Sequence, residues 1–139
     1  MLKVLPIQTK EEQEALCKKC NVKFNPDLLA YSATVDGELR GISQFKLTAE
    51  GGLVFDIAAA PDVYDFEALF VLGRGTLNFI DLCGVHYAIY KGEVESEEKE
   101  RLLRAIGFKR TESGSLEVDL NGFFTDHCHD KNKKEEEKN

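Results

Sequence analysis

Residues Pro61 to Gly84, PDVYDFEALFVLGRGTLNFIDLCG, decide how this chain is read. Phe66, Leu69, Phe70, Gly73, Leu77 and Ile80 recur at helical spacing, and Leu72, Thr76, Phe79 and Cys83 form a second row. Two apolar rows predict a helix from about Asp65 to Cys83 that is buried on much of its surface. Gly84 is a natural stop, because glycine takes the left-handed conformation that closes a helix. Pro61 ends whatever precedes the segment.

The flanking residues alternate between strand and helix. Upstream, Leu53 to Ala60 is a nearly continuous apolar run broken by Asp56, which reads as a central strand covered on both faces. Before it, Leu29, Tyr31, Ala33 and Val35 alternate along one strand. Asp36-Gly37 gives a hairpin turn, and Arg40 to Thr48 supplies the return strand. Met1 to Ile7 reads as an opening strand. Thr9 and Glu12 fit a capping box for a helix from about Lys10 to Cys20. Downstream of Gly84 come a strand at Val85 to Tyr90, a helix at Ser96 to Ile106 stopped by Gly107, and strands at Phe108 to Arg110 and Leu116 to Leu120 joined by a Ser113-Gly114 turn. Helices on both sides of a central strand predict a mixed α/β sheet.

Composition narrows the function classes. A chain of 139 residues is one domain, here residues 1–129, followed by a charged tail at 130–139 expected to be disordered. The net charge of −7 and the lack of a basic patch argue against a nucleic-acid partner. No run approaches the length of a membrane span. The opening MLKVLPIQTK has no signal-peptide pattern, so a cytoplasmic location with four reduced thiols is expected.

The order and spacing of these elements resemble the GNAT superfamily of N-acyltransferases, over about Met1 to Leu120. In that family a central strand ends near a proline, and a helix follows that ends at a glycine, as from Pro61 to Gly84. A strand, a helix and a Gly-Phe pair come next, here Val85–Tyr90, Ser96–Ile106 and Gly107-Phe108. The resemblance implies an acetyl-CoA-dependent N-acetyltransferase acting on a small-molecule or peptide amine. The alternative is a catalytically inactive binding or assembly module on the same fold. The resemblance further implies that backbone groups around Ile57 and Ala59 hold the pantetheine arm, and that Tyr64, Phe66, Ala68 and Leu69 surround the pyrophosphate. Asp56 is implied as the base that takes the proton from the attacking amine, directly or through water. Its other reading is a carboxylate that faces solvent or caps a neighbouring backbone group.

Four positions depart from the family pattern. Tyr64 falls where the phosphate turn carries a basic residue, and Glu67 and Leu69 fall on its glycines. Asp65 and Glu67 stabilise a helix start, yet they repel a pyrophosphate. A like charge at about 4 Å costs on the order of 4 kcal/mol at an effective dielectric near 20, against about 1 kcal/mol from the helix dipole. Leu103 stands where many members carry a tyrosine acid for the thiolate, and leucine transfers no proton.

Other residues carry competing readings. His86 and Tyr90 share one strand face and either line a cleft or pack as ordinary side chains. Gly73-Arg74-Gly75 has the look of a phosphate loop, but it lies mid-helix, where Gly73 would let the helix approach the sheet. Cys17 and Cys20 have C-x-x-C spacing at a helix end. A zinc site would need two further ligands, which His127-Cys128-His129 could supply if the C-terminus folded back on the first helix, and no metal is expected. An exposed edge at Leu116 to Leu120 makes a homodimer an expectation.

Overall fold

The computed structural model describes residues 1–124. Its elements run β1 (Leu2–Pro6), α1 (Lys10–Lys19), β2 (Leu29–Val35), β3 (Glu38–Thr48), β4 (Gly51–Ala59), α2 (Phe66–Leu82), β5 (Tyr87–Tyr90), α3 (Glu97–Ile106), β6 (Lys109–Arg110) and β7 (Leu116–Asp119). The strands form one sheet of seven in the order β1-β2-β3-β4-β5-β7-β6. β4 and β5 run parallel, while the other neighbours are antiparallel. The expected tail at 130–139, and His127, Cys128 and His129, lie outside the described residues.

Local signals set the element ends. Thr9 accepts from the Glu12 amide, Asp65 from the Ala68 amide and Ser96 from the Lys99 amide, each about one turn into its helix. Asp36 and Gly37 have φ values of 52° and 86°, the left-handed pair that a tight hairpin turn between β2 and β3 requires.

The sheet is covered on both faces. Leu69, Leu72, Leu77 and Ile80 of α2 and Leu102, Leu103 and Ile106 of α3 join Phe45, Val54, Ile57 and Ala88 of the sheet in the main core. Cys17 and Cys20 at the end of α1 pack with Ile42 and Ala60 in a smaller cluster on the opposite face. Two sequence expectations change here. Gly73 lets α2 approach α3 rather than the sheet, since a Cβ there would lie 2.8 Å from Cγ1 of Ile106. The edge expected at Leu116 to Leu120 is partly covered, because β6 pairs with Leu116 and Glu117 of β7 and, among the described residues, leaves Val118 and Asp119 without a partner on that side.

One irregularity positions everything that follows. Gln44 pairs with Asp56 but its neighbour Phe45 pairs with Val54, so Phe55 is an extra residue in β4. Such a bulge bends the strand and raises its twist. β5 follows β4 only from Gly52↔Ala88 to Val54↔Tyr90, with a final bond from the Lys91 amide to the Val54 carbonyl at 2.7 Å. Beyond the bulge the two strands part.

Candidate functional site

The bulge also exchanges the two faces of β4. Val54 lies in the main core before it, and Ile57 and Ala59 belong to that core after it. Asp56, Ala58 and Ala60 therefore turn toward the α1 side, where Ala58 and Ala60 pack in the smaller cluster. Were β4 regular, with Phe55 taking its turn in the alternation, Asp56 would share the face of Val54 and point into hydrocarbon.

On the α1 side Asp56 ends a chain of buried amides. Lys10 Nζ donates to Gln13 Oε1 at 3.1 Å, Gln13 Nε2 to Gln44 Oε1 at 2.8 Å, and Gln44 Nε2 to Asp56 Oδ2 at 2.7 Å. Gln44 Nε2 also reaches the Lys23 carbonyl at 2.9 Å, which ties down the loop between α1 and β2. Gln13 and Gln44 are almost wholly buried, so each amide orientation is fixed by its partners. Burial raises the Asp56 carboxyl above its ordinary pKa. The Gln44 bond and the Lys99 charge pull it partly back.

Between the parted strands lies a groove of about 670 Å³ that includes Asp56, Ile57, Ala59, Tyr90 and Lys99 among its walls. Tyr90 is buried at the fork, and its hydroxyl pKa is raised, first by burial and then by the Asp56 charge. The chain after β5 turns back across the groove floor. Gly92 approaches the Phe55 carbonyl too closely for any Cβ, and a Cβ there would also lie 2.7 Å from the Tyr90 hydroxyl. Lys99 reaches in from α3 and donates to the Ile57 carbonyl at 2.6 Å. Desolvation lowers its pKa, against the opposing pull of Glu95 and Asp56.

The residues expected around a pyrophosphate are differently engaged. The Ala68 amide is taken by Asp65 Oδ1 at 3.0 Å, and the Leu69 amide by the Asp65 carbonyl at 3.0 Å. Asp65 Oδ2 pairs with Arg40 Nε at 3.1 Å. The Ala68 and Leu69 side chains are buried in the core, while Tyr64 and Phe66 stand exposed. A carboxylate thus already fills the helix start that an anionic ligand would use. The backbone at Ile57 and Ala59 lies on the groove wall, while Asp65 occupies the start of α2 beyond it.

The remaining candidates separate. His86 is exposed ahead of β5, with Nδ1 2.6 Å from Asp81 Oδ1, and does not join Tyr90 at the groove. Gly73-Arg74-Gly75 is continuous helix, and Arg74 Nε donates to the Ile106 carbonyl at 2.6 Å at the end of α3. Cys17 and Cys20 are buried thiols pushed by desolvation to pKa values of about 11. They stay neutral at ordinary pH and are poor metal ligands and nucleophiles. Among the described residues, no group of three His, Cys, Asp or Glu side chains could hold a metal ion. No helix among them is long and apolar enough to cross a membrane.

Gln13, Gln44 and Lys99 escaped the sequence reading, although each interrupts an apolar row. Gln13 lies one turn before Cys17 on α1. Gln44 shares a strand face with Ile42. Lys99 precedes Leu102, Leu103 and Ile106 on the inner face of α3.

No protein-family model and no curated protein matches the chain. Solved structures do. The ribosomal-protein-S18-alanine N-acetyltransferase of Escherichia coli superposes with a TM-score of 0.67 at 12% identity, covering 86% of this chain and 94% of that one. The IAA acetyltransferase of Bacillus cereus gives 0.69 at 15% identity, covering 86% and 100%. The PaiA N-acetyltransferase of Thermoplasma acidophilum, solved in complex with coenzyme A, gives 0.66 at 12%, covering 86% and 99%. The strand order, the parting of β4 from β5 and these superpositions agree: the chain has the GNAT N-acyltransferase fold.

Proposed function

We propose that this protein is an N-acyltransferase that takes its acyl group from acetyl-CoA and passes it to an amine. The observation that carries this reading is the parting of β4 and β5 beyond the Phe55 bulge, which leaves Asp56 and the Ile57–Ala59 backbone edge on the walls of one groove. Acetyl-CoA, when bound, supplies an activated acyl group. Asp56 receives the proton that the amine nitrogen sheds as its new bond to the acyl carbon forms; the carbon–sulfur bond breaks, and the departing thiolate takes a proton from solvent, since Leu103 offers none. Its raised pKa brings it closer to the amine than an ordinary carboxylate. Gln44 and Gln13 hold the carboxylate in one orientation. An arm that pairs with Ile57 meets a carbonyl that Lys99 already engages.

A second reading is favoured by Asp65. Because it caps α2 and pairs with Arg40, the usual phosphate position carries negative charge, as suits a fold kept for binding or assembly rather than catalysis. Calorimetric titration with coenzyme A and acetyl-CoA decides between the two. Saturable binding, with thiol release when an amine is added, supports the enzyme. No heat up to millimolar cofactor overturns it in favour of the module.

A further inference from the structure

Asp56 lines two cavities, which adjoin and share Lys23, Phe55 and Asp56 as walls. The groove toward β5 is described above. The other is a cleft of about 470 Å³ beneath the loop between α1 and β2, lined by Lys23, Phe24, Asn25, Pro26, Leu28 and Phe55 as well as Asp56. Its volume falls within the range of roughly 300–1,000 Å³ usual for small-ligand sites. Its apolar surface comes from two aromatic rings, a proline and a leucine. Among the described residues Asp56 is its only carboxylate, and the one cationic residue on its wall, Lys23, is exposed.

We propose that this cleft binds a primary monoamine with a compact apolar body, and that Asp56 holds the ammonium. The inference rests on the reading of Asp56 as the group that meets the amine and adds the class of amine. Charge complementarity selects the head group, because a half-buried carboxylate favours a cation partner. The walls select the body. Phe24, Pro26, Leu28 and Phe55 offer hydrocarbon and ring faces but no second anion, so a polyamine finds one partner and leaves its other charges beside Lys23. The loop is held for this role, since Gln44 bonds both the Lys23 carbonyl at one end of the loop and Asp56 across the cleft. The same chemistry is carried by a free arylalkylamine and by the α-amine of a peptide whose first residue is apolar.

The test needs no cofactor, so its outcome is independent of whether acetyl-CoA binds. The 15N-labelled full chain is titrated with 2-phenylethylamine, with a tripeptide amide beginning with leucine, with spermidine, and with 2-phenylethanol as an uncharged match. Amide shifts confined to residues 23–28 and 55–57 with either of the first two ligands support the site, and which of them saturates identifies the source. Binding should weaken about 10- to 100-fold in Asp56→Asn, as loss of a charge-assisted bond implies. The wild type should discriminate against 2-phenylethanol by a similar factor, which tests the charge without a mutation. Shifts elsewhere, equal binding of the alcohol, or tighter binding of spermidine than of 2-phenylethylamine would overturn the proposal.

Discussion

Gln44 donates one side-chain nitrogen to two acceptors, Asp56 Oδ2 at 2.7 Å and the Lys23 carbonyl at 2.9 Å, so the candidate base and the loop above it share a single buried donor. Gln44→Met removes that donor and leaves Gln13 without its acceptor. The loss of a buried polar network should lower stability by about 2–3 kcal/mol in denaturant titration. The Gln44 bond lowers the Asp56 pKa, so its removal should raise it further. A carbon-13 titration of the Asp56 carboxyl reads this directly, and an unmoved midpoint would deny Gln44 its positioning role.

Asp56 itself should leave a signature in the pH dependence of stability. Its folded pKa lies above the unfolded value of 3.8, so the folded state holds the proton longer than the unfolded chain. That contribution is complete below the unfolded pKa and is lost as pH rises through the folded one. Near pH 7, Asp56→Asn relieves an ionised, half-buried carboxylate and should melt above the wild type. The gap should close as pH falls toward the unfolded value of 3.8. A gap that widens in acid would contradict the sign.

Asp65→Ser keeps an N-cap and removes a charge. Arg40 then loses its partner at the start of α2, keeps only its exposed contact with Glu38, and can turn toward a phosphate. Coenzyme A should bind about three- to fivefold more tightly, the scale of an exposed charge term. Unchanged affinity would mean that the cofactor phosphates lie elsewhere.

Lys99→Met clears the Ile57 carbonyl for an amide of the cofactor arm. Affinity for coenzyme A should rise by up to about tenfold, bounded by the net strength of one amide–carbonyl hydrogen bond. Weaker binding in calorimetry would instead make Lys99 a cofactor contact.

Gly73→Ala adds a methyl that would meet Ile106 across the α2–α3 contact. Overpacking costs about 1–3 kcal/mol, and the gain in helix propensity returns about 1 kcal/mol, so a net loss near 1 kcal/mol is expected. Ile106→Val trims the opposing side chain, and the double variant should be more stable than the sum of the single changes predicts. Additivity would show that the helices do not meet there.

Much of the fold was legible because local and tertiary signals agreed. The apolar rows from Leu69 to Ile80, the Asp36-Gly37 turn and the glycines after the helices each say the same thing at both levels. The site was less legible because it depends on register. Alternation along β4 places Asp56 with Val54, and only the pairing with β3 reveals the extra residue that separates them. Gln13 and Gln44 are ordinary polar residues until two distant segments bring them within 2.8 Å. Phe66 shows the opposite error. It fits the apolar row of α2, but at the first helical turn it stands 41% exposed.

The Phe55 bulge makes β4 a strand with two allegiances. Its first half belongs to the hydrocarbon under α2, and its second half lends alternate residues to the chemistry on the α1 side. Straightening the bulge with Phe55 kept in the alternation would exchange tenants, driving Asp56 into the core and bringing Ile57 out toward the α1 side, whereas deleting Phe55 would leave Asp56 opposite Gln44 in a regular ladder. The reading frame of this strand, more than the identity of any single side chain, is what the candidate site depends on.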